Sequence, residues 1–462
     1  MVKLVRFSRE TIDCEKNIIK LAVPVFLGFV SSTVYQIVDT FWLARYSYVA
    51  AAAAATAAFA ENVLYALVLV ITMGITVLIS NRIGKKNYGE VKLYIVSGWI
   101  LCFVLVLLVS IPGFFLRKEV AGLLVNENSR QIIENLQIIL SIIFPGVIVL
   151  YSQCMVDSIF HGNNNTKTPM VSAFIANFVN LILDPIFIFG LLGMPKMGVA
   201  GAFVATLTGR IVGLCWSVVK LRKLLLIPEM KSIKVKWEFR KSSMEILKIG
   251  VPLSLEFLFR MISSVLLLRI ISIYGDIQIA AYGIGTKVIV IVTSGFFGIR
   301  QASSILLARR SGEGFVRETK LIGKSSAFIA MSVACVSATV LLAGGHNVAW
   351  LFTGNVEVVR SCIIVLNYLS IYLISFSVSV SMGGSFIGSG NGRLLLIVTF
   401  TSVIATVSFC YILSAVLKNV AGVWLGMIFA SILQTTLVIT FFYKIILPKT
   451  LNQESKNISL IS

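Results

Sequence analysis

Two aspartates stand where acids are rare. Asp39 lies within IIKLAVPVFLGFVSSTVYQIVDTFWLA, residues 18–44, and Asp184 lies within NFVNLILDPIF. An ionised Asp in the middle of such an apolar helix costs about 2.5 to 3.5 kcal/mol on insertion scales, so it is kept for a partner, a wet cavity, a proton or an ion. Ser32, Tyr35, Gln36 and Asp39 recur at spacings of three or four and share one helical face, with Val30, Val34, Ile37 and Phe41 on the other. Asn177, Asn180 and Asp184 build a second polar wall in the same way, and Pro185 after the aspartate is placed to free a backbone carbonyl. Glu61 and Thr206 fall at or near the same depth. Carboxylate, amide and hydroxyl oxygens together suit Na⁺ or an exchangeable proton, and the two would compete for one negative charge. The plainer reading of Asp39, a hydrogen bond pinning its helix to a neighbour, stays open.

A second constellation has the opposite sign. Arg260 follows Glu256 by four residues, in the favourable order for a helical ion pair. The plain reading is mutual neutralisation that holds the helix in place. The sharper one makes the pair face a substrate or latch onto a distant acid. Arg210 is too central in its stretch to reach water along its own helix and should face protein or a cavity. Lys287 and Arg300 are candidates for snorkelling to the interface.

The elements that position these groups are membrane spans. The 462 residues are 57% hydrophobic and only 13% charged, with a mean hydropathy of +0.94, far from soluble composition. Forty basic residues against twenty acidic ones give a net charge of +20. The excess sits in short segments between apolar runs, as in a positive-inside pattern, which argues against nucleic acid as a partner. No apolar h-region precedes the first span, so a removable signal peptide is not expected. Cysteines 14, 102, 154, 215, 335, 362 and 410 lack C-x-x-C spacing and are expected to be free thiols, without zinc.

Twelve apolar stretches of spanning length are expected, near 17–44, 51–80, 91–116, 132–160, 168–192, 198–223, 245–273, 279–308, 322–345, 358–388, 393–417 and 421–447. Lys3, Arg6, Arg9, Lys16, Arg82, Lys85, Lys86, Lys92, the run 220–248, Arg309, Arg310, Arg317, Lys320, Lys444 and Lys449 all fall on one side. That side is then the cytoplasm, and both termini lie in it. The polar linker 224–244 divides the chain into residues 1–223 and 245–462.

The halves repeat. Pro24 matches Pro252, Ala52-Ala53 matches Ala280-Ala281, SNRIGKKN around Gly84 matches ARRSGEG around Gly312, and HGNNN at Gly162 matches GSGNG at Gly390. Each pair is 228 residues apart, while Gly201 and Gly422 are 221 apart. Six spans separate equivalents, which implies an all-α protein of two six-helix lobes related by a pseudo-two-fold axis along the membrane normal, with a binding cavity between them. On this register Asp39 maps to Leu267, Asp184 to Ile412 and Arg260 to Ser32. The acids are therefore not demanded by the fold.

These motifs also carry a resemblance. Pro24 followed by VDTFW, IGKKN after span two, NTKTPM before span five, NxxLDPIFIFG within it, GVAGAFVAT opening span six and AAYGIGTK in span eight together resemble the multidrug and toxic compound extrusion (MATE) family of the MOP flippase superfamily, in its prokaryotic branch. The resemblance implies a multi-pass secondary transporter of the cell membrane that exports amphipathic, often cationic small molecules in exchange for H⁺ or Na⁺. It matches Asp39, Asn180, Asp184 and Thr206 to the family's cation site, and Tyr35, Gln36 and Asn177 to cavity-lining positions. Glu61 and Arg260 join that substrate-cavity set from the reading of the residues themselves. His161, Asn164 and Ala44 depart from the family's usual residues in turns.

Expected partners are thus a small-molecule substrate and membrane lipid, for a monomer that needs no cofactor beyond its coupling ion. The rival reading is a flippase for a lipid-linked saccharide or another anionic amphiphile, with Arg260, Arg210 and Lys287 holding a pyrophosphate. A membrane-embedded transferase is more remote, since Asp157 and His161 offer no Asp-rich motif. A channel would need a ring of like groups.

Overall fold

The computed structural model describes residues 2–125, 129–225, 238–315 and 318–448. Most of the 224–244 linker lies outside the described residues, as do Arg317, Lys449 and the side chains of Lys3, Arg6 and Arg9. The described chain is helical: α1 Val2–Tyr46, α2 Tyr48–Gly84, α3 Tyr88–Phe115, α4 Arg117–Leu124, α5 Arg130–Gly162, α6 Lys167–Phe189, α7 Val199–Leu225, α8 Phe239–Ser272, α9 Asp276–Gly312, α10 Glu318–Phe352, α11 Val356–Gly388, α12 Gly392–Leu417 and α13 Ala421–Phe441. Twelve of these are long and apolar enough to cross a membrane. The short α4 is the exception, absent from the sequence expectation because one eight-residue amphipathic turn carries too little periodic signal. Ser47, Asn87 and Asn355 cap α2, α3 and α11 by accepting bonds from the first-turn N–H groups.

Contacts divide the chain into two units. One is Leu27–Ser254, and the other joins the residues up to Phe26 to those from Leu255 onward. The divide therefore does not follow the linker. It cuts α1 and α8 in their interiors, two residues after Pro24 and Pro252.

In the Leu27–Ser254 unit, α2 packs on α5 and α3, and α6 on α7. The first half of α8 docks here through residues spaced along one face. Ser242 meets Ser97 at 2.6 Å, and Glu245 accepts from Tyr94 and from Arg82. Ser254 donates to the Ala66 carbonyl at 2.6 Å. Gly250 passes so close to the Val70 carbonyl that a Cβ would overlap it. Glycine is what permits that approach.

In the second unit, α11 packs on α9 and α10, and α12 on α13. The first half of α1 docks here. Cys14 lies beside Ser325, Ile18 and Ala302 are fully buried in one core cluster, and Gly298 faces the Ala22 carbonyl. Each contact reproduces one in the first unit. Ser97 and Ser242 shifted by 228 are Ser325 and Cys14, and Val70 and Gly250 correspond to Gly298 and Ala22 by the same shift. The repeat holds contact by contact.

One register is corrected. Asn165 N–H donates to the Phe160 carbonyl as Asn391 N–H does to Phe386. Gly162 abuts Thr76 and Ile79 as Gly388 abuts Ser304 and Leu307. Gly162 thus corresponds to Gly388, 226 residues on, and the left-handed turn residues are Asn164 and Gly390. The two residues drop out between Leu124, the end of α4, and Arg130, since Leu124 and Phe352 still stand 228 apart while Arg130 and Val356 stand 226 apart. Gly201 packs on Phe187 and Gly422 on Leu413, so the 226 offset persists through α6. Asp184 then corresponds to the buried Cys410 rather than to Ile412. The second repeat still carries no acid there.

Candidate cation site

α1, α6 and α7 bring the polar positions of the first unit together. Asp184 is fully buried and Asn180 nearly so, because both point from α6 toward α7. Asn180 Nδ2 donates to Asp184 Oδ1 at 2.9 Å and to Thr206 Oγ1 at 3.1 Å. One amide thereby spends its donors on both, leaving its own carbonyl oxygen available as a ligand. Tyr35 of α1 is set beside Thr206 and Arg210. Asp39, one turn along α1, lies within electrostatic reach of Asp184 and of Glu61.

Asp39 Oδ1 and Asp184 Oδ2 are each buried with no hydrogen-bond partner among the described residues. A buried acceptor left unmatched costs about 1–3 kcal/mol, more when charged, a cost that a proton or a bound cation would offset. Asp39 Oδ1 is therefore not the atom that would pin α1 to a neighbour. The donor set of two carboxylates, an amide and hydroxyls is hard and all-oxygen, fitting Na⁺ as well as H⁺. Among the described residues no group of three His, Cys, Asp or Glu gathers as for a transition metal, and all seven cysteines are free.

Beside these residues opens a small cleft lined by Glu61, Leu64, Gly146, Phe203, Thr206 and Arg210 among others. Arg210 Nη1 stands 3.7 Å from Glu61. Sequence reasoning recognised Arg210 as protein-facing but left it out of the site. Its signal was its position one turn after Thr206 on the same face of α7. Asn177 does not join the acids: it donates to Ser31 Oγ at 2.7 Å and ties α6 to α1. Gln36 is exposed on α1.

Arg260 belongs to the other unit. Its Nε and Nη2 donate to Glu256 Oε1 at 3.0 and 2.8 Å, the anticipated helical pair. Arg300 adds an unanticipated partner. It does not snorkel: its side chain is 12% exposed, and its two terminal nitrogens grip both oxygens of Glu256.

Comparison with known proteins now decides the family. A sequence model of the MatE family matches residues 24–186 and 252–412, once in each repeat. The chain belongs to the MatE family. Among MatE relatives, the probable multidrug resistance protein NorM of Thermotoga maritima is 26% identical over 453 residues, covering 94% of this chain and 93% of its own. The probable multidrug resistance protein YoeA of Bacillus subtilis is 24% identical, covering 87% and 88%. A structure described as MATE in the bent conformation has a TM-score of 0.85 at 20% identity, with 96% and 97% of the two chains covered. A MOP superfamily transporter from Pyrococcus furiosus, whose structure is described by the reverse polarity of its binding pocket, has a TM-score of 0.84 at 20% identity, covering 93% and 95%. These structures share the MatE fold. Membership makes the protein a multi-pass membrane transporter and not an enzyme.

Proposed function

We propose that the protein is a secondary active antiporter that exports amphipathic cationic small molecules, a multidrug efflux pump, in exchange for H⁺ or Na⁺. The observation that carries the reading is the pair of buried, unpartnered oxygens, Asp39 Oδ1 and Asp184 Oδ2, within one polar cluster. The names of the multidrug resistance relatives agree with it. A proton or Na⁺ taken up there cancels the negative charge that attracts an organic cation, so ion and substrate bind in competition. Exchange follows when the two occupy the site in alternate states. Asp39, Asn180, Asp184 and Thr206 hold the ion, Glu61 and Tyr35 face the substrate's charge, and Arg210 pairs with Glu61. The protein works as a monomer in the cell membrane with both termini in the cytoplasm.

The test is accumulation of a cationic dye in inverted membrane vesicles under separately imposed proton and sodium gradients. Uptake driven by one gradient and abolished by its collapse supports the reading. Uptake indifferent to both removes it.

A flippase for lipid-linked saccharides is favoured by one observation, the two arginines that share Glu256. The readings separate on Arg260→Ala. Cationic dye export survives it with a modest change in affinity under the first, whereas a pyrophosphate substrate loses transport under the second.

A further inference from the structure

The Glu256 cluster carries more positive charge than it can balance. Glu256 is 2% exposed at its side chain and accepts four N–H bonds, two each from Arg260 and Arg300. A carboxylate offers about four lone-pair sites, so it is saturated, while two guanidiniums bring about ten N–H donors. Among the described residues, the hydrogen bonds of both guanidiniums go to Glu256 alone. The charges sum to one carboxylate against two guanidiniums. Among the described residues of this unit, neither guanidinium pairs with a second acid. The other described acids of this unit are Glu10, Asp13 and Glu15 early in α1, Asp276 and Glu357 in the first turns of α9 and α11, and Glu313 and Glu318 around the α9–α10 turn.

The surroundings favour an amphiphile. Arg260 is 22% exposed at its side chain. Its guanidinium carbon stands 5.9 Å from the Phe297 ring centre and 5.8 Å from that of Phe376, with Arg300 at 6.0 Å from Phe297. Tyr372 stacks on Phe376 at 4.9 Å and lies within electrostatic reach of Arg260. The rings soften the cost of the unbalanced charge without cancelling it, and offer apolar surface beside it. The fold does not need this cluster, because on the repeat register Glu256, Arg260 and Arg300 correspond to Gly28, Ser32 and Thr72.

We propose that the open edge of Arg260, held by Glu256 and backed by Arg300, is an anion subsite that takes the carboxylate, sulfonate or phosphate group of an amphiphile. Glu256 fixes one edge of the Arg260 fork and leaves the rest of it to meet the ligand, while Arg300 compensates Glu256 so that Arg260 remains electrostatically available. This widens the substrate class beyond the organic cations of the antiport reading. It rests on membership of a transporter family and not on ion coupling.

The experiment is a fluorescence titration of dansylaminoundecanoic acid and of its methyl ester into the purified protein in phosphatidylcholine nanodiscs, without any gradient. The wild type should bind the acid about tenfold more tightly than the ester, as one charge-assisted contact supplies. Arg260→Gln should abolish that preference, and Arg260→Lys should keep part of it. Arg260→Gln leaves Glu256 paired with Arg300, so the core stays neutral, and an unchanged unfolding temperature confirms that it folds. Equal binding of acid and ester by the wild type, or an undiminished preference in a folded Arg260→Gln, overturns the proposal. Phosphatidylglycerol added to the nanodiscs identifies the source of the natural anion. Competition that erases the preference in the wild type shows a lipid headgroup holding the subsite. A preference that persists shows that the subsite selects free amphiphiles. Because no gradient is used, failure here leaves the antiport reading standing, and failure of vesicle transport leaves this binding result intact.

Discussion

Asn180 Nδ2 bridges Asp184 Oδ1 at 2.9 Å and Thr206 Oγ1 at 3.1 Å, while the second oxygen of Asp184 is buried without a donor. The amide orients the carboxylate and leaves one side of it free. An orienting bond of this kind keeps the ligand oxygen in place through repeated binding and release.

Replacing either acid tests its part in coupling. Asp39→Asn and Asp184→Asn keep the side-chain shape and remove the exchangeable charge. Each should insert normally, yet lower gradient-driven dye efflux at least about tenfold, the effect of roughly 1.4 kcal/mol. Efflux at the wild-type rate with unchanged ion dependence, measured in vesicles of matched protein content, would take that residue out of the mechanism.

Thr206→Ala removes a neutral oxygen and one acceptor for Asn180. A neutral ligand contributes less than a carboxylate to a cation site. Efflux should fall by only a few-fold, about 1 kcal/mol in keeping with one neutral hydrogen bond, and the apparent affinity for the driving ion should weaken. A loss as deep as that of Asp184→Asn would make Thr206 more than a neutral ligand.

Asn177 is assigned a different job by its bond to Ser31. Asn177→Ala should lower thermal stability by about 1 kcal/mol and leave the ion dependence of efflux unchanged. A shifted ion dependence, read from the same vesicle assay across sodium concentrations, would bring Asn177 into the cation site.

The crossing of α8 onto the first unit depends on Gly250. A leucine there would push the helix off the Val70 carbonyl. Gly250→Leu should cost about 1–3 kcal/mol or more, as overpacking does, and lower the unfolding temperature of the purified protein. Val251, exposed on the other face of the same helix, should tolerate Val251→Leu with no measurable shift.

Much of this protein is written locally. Hydrophobic run length defines each span without reference to any neighbour, so the twelve spanning helices follow from the residues alone. Spacing of three and four places Tyr35 with Asp39, Asn177 with Asn180 and Asp184, and Glu256 with Arg260, since helical geometry is the same in every fold. Motif identity pointed to the family that the chain was then found to match in both repeats.

What local pattern does not contain is which helix faces which. Arg300 lies 44 residues from Glu256, and only the tertiary structure turns a residue suited to snorkelling into the second partner of a buried acid. Asn177 looked equivalent to Asn180 by spacing, yet the tertiary structure sends it to Ser31 of α1. The exchange of half-helices at Pro24 and Pro252 was equally hidden, because nothing along the chain says which unit each half will pack on. The two residues lost from the second repeat also needed the turn hydrogen bonds to be seen, since a glycine-rich stretch such as GSGNG matches its counterpart in either register until the backbone selects one.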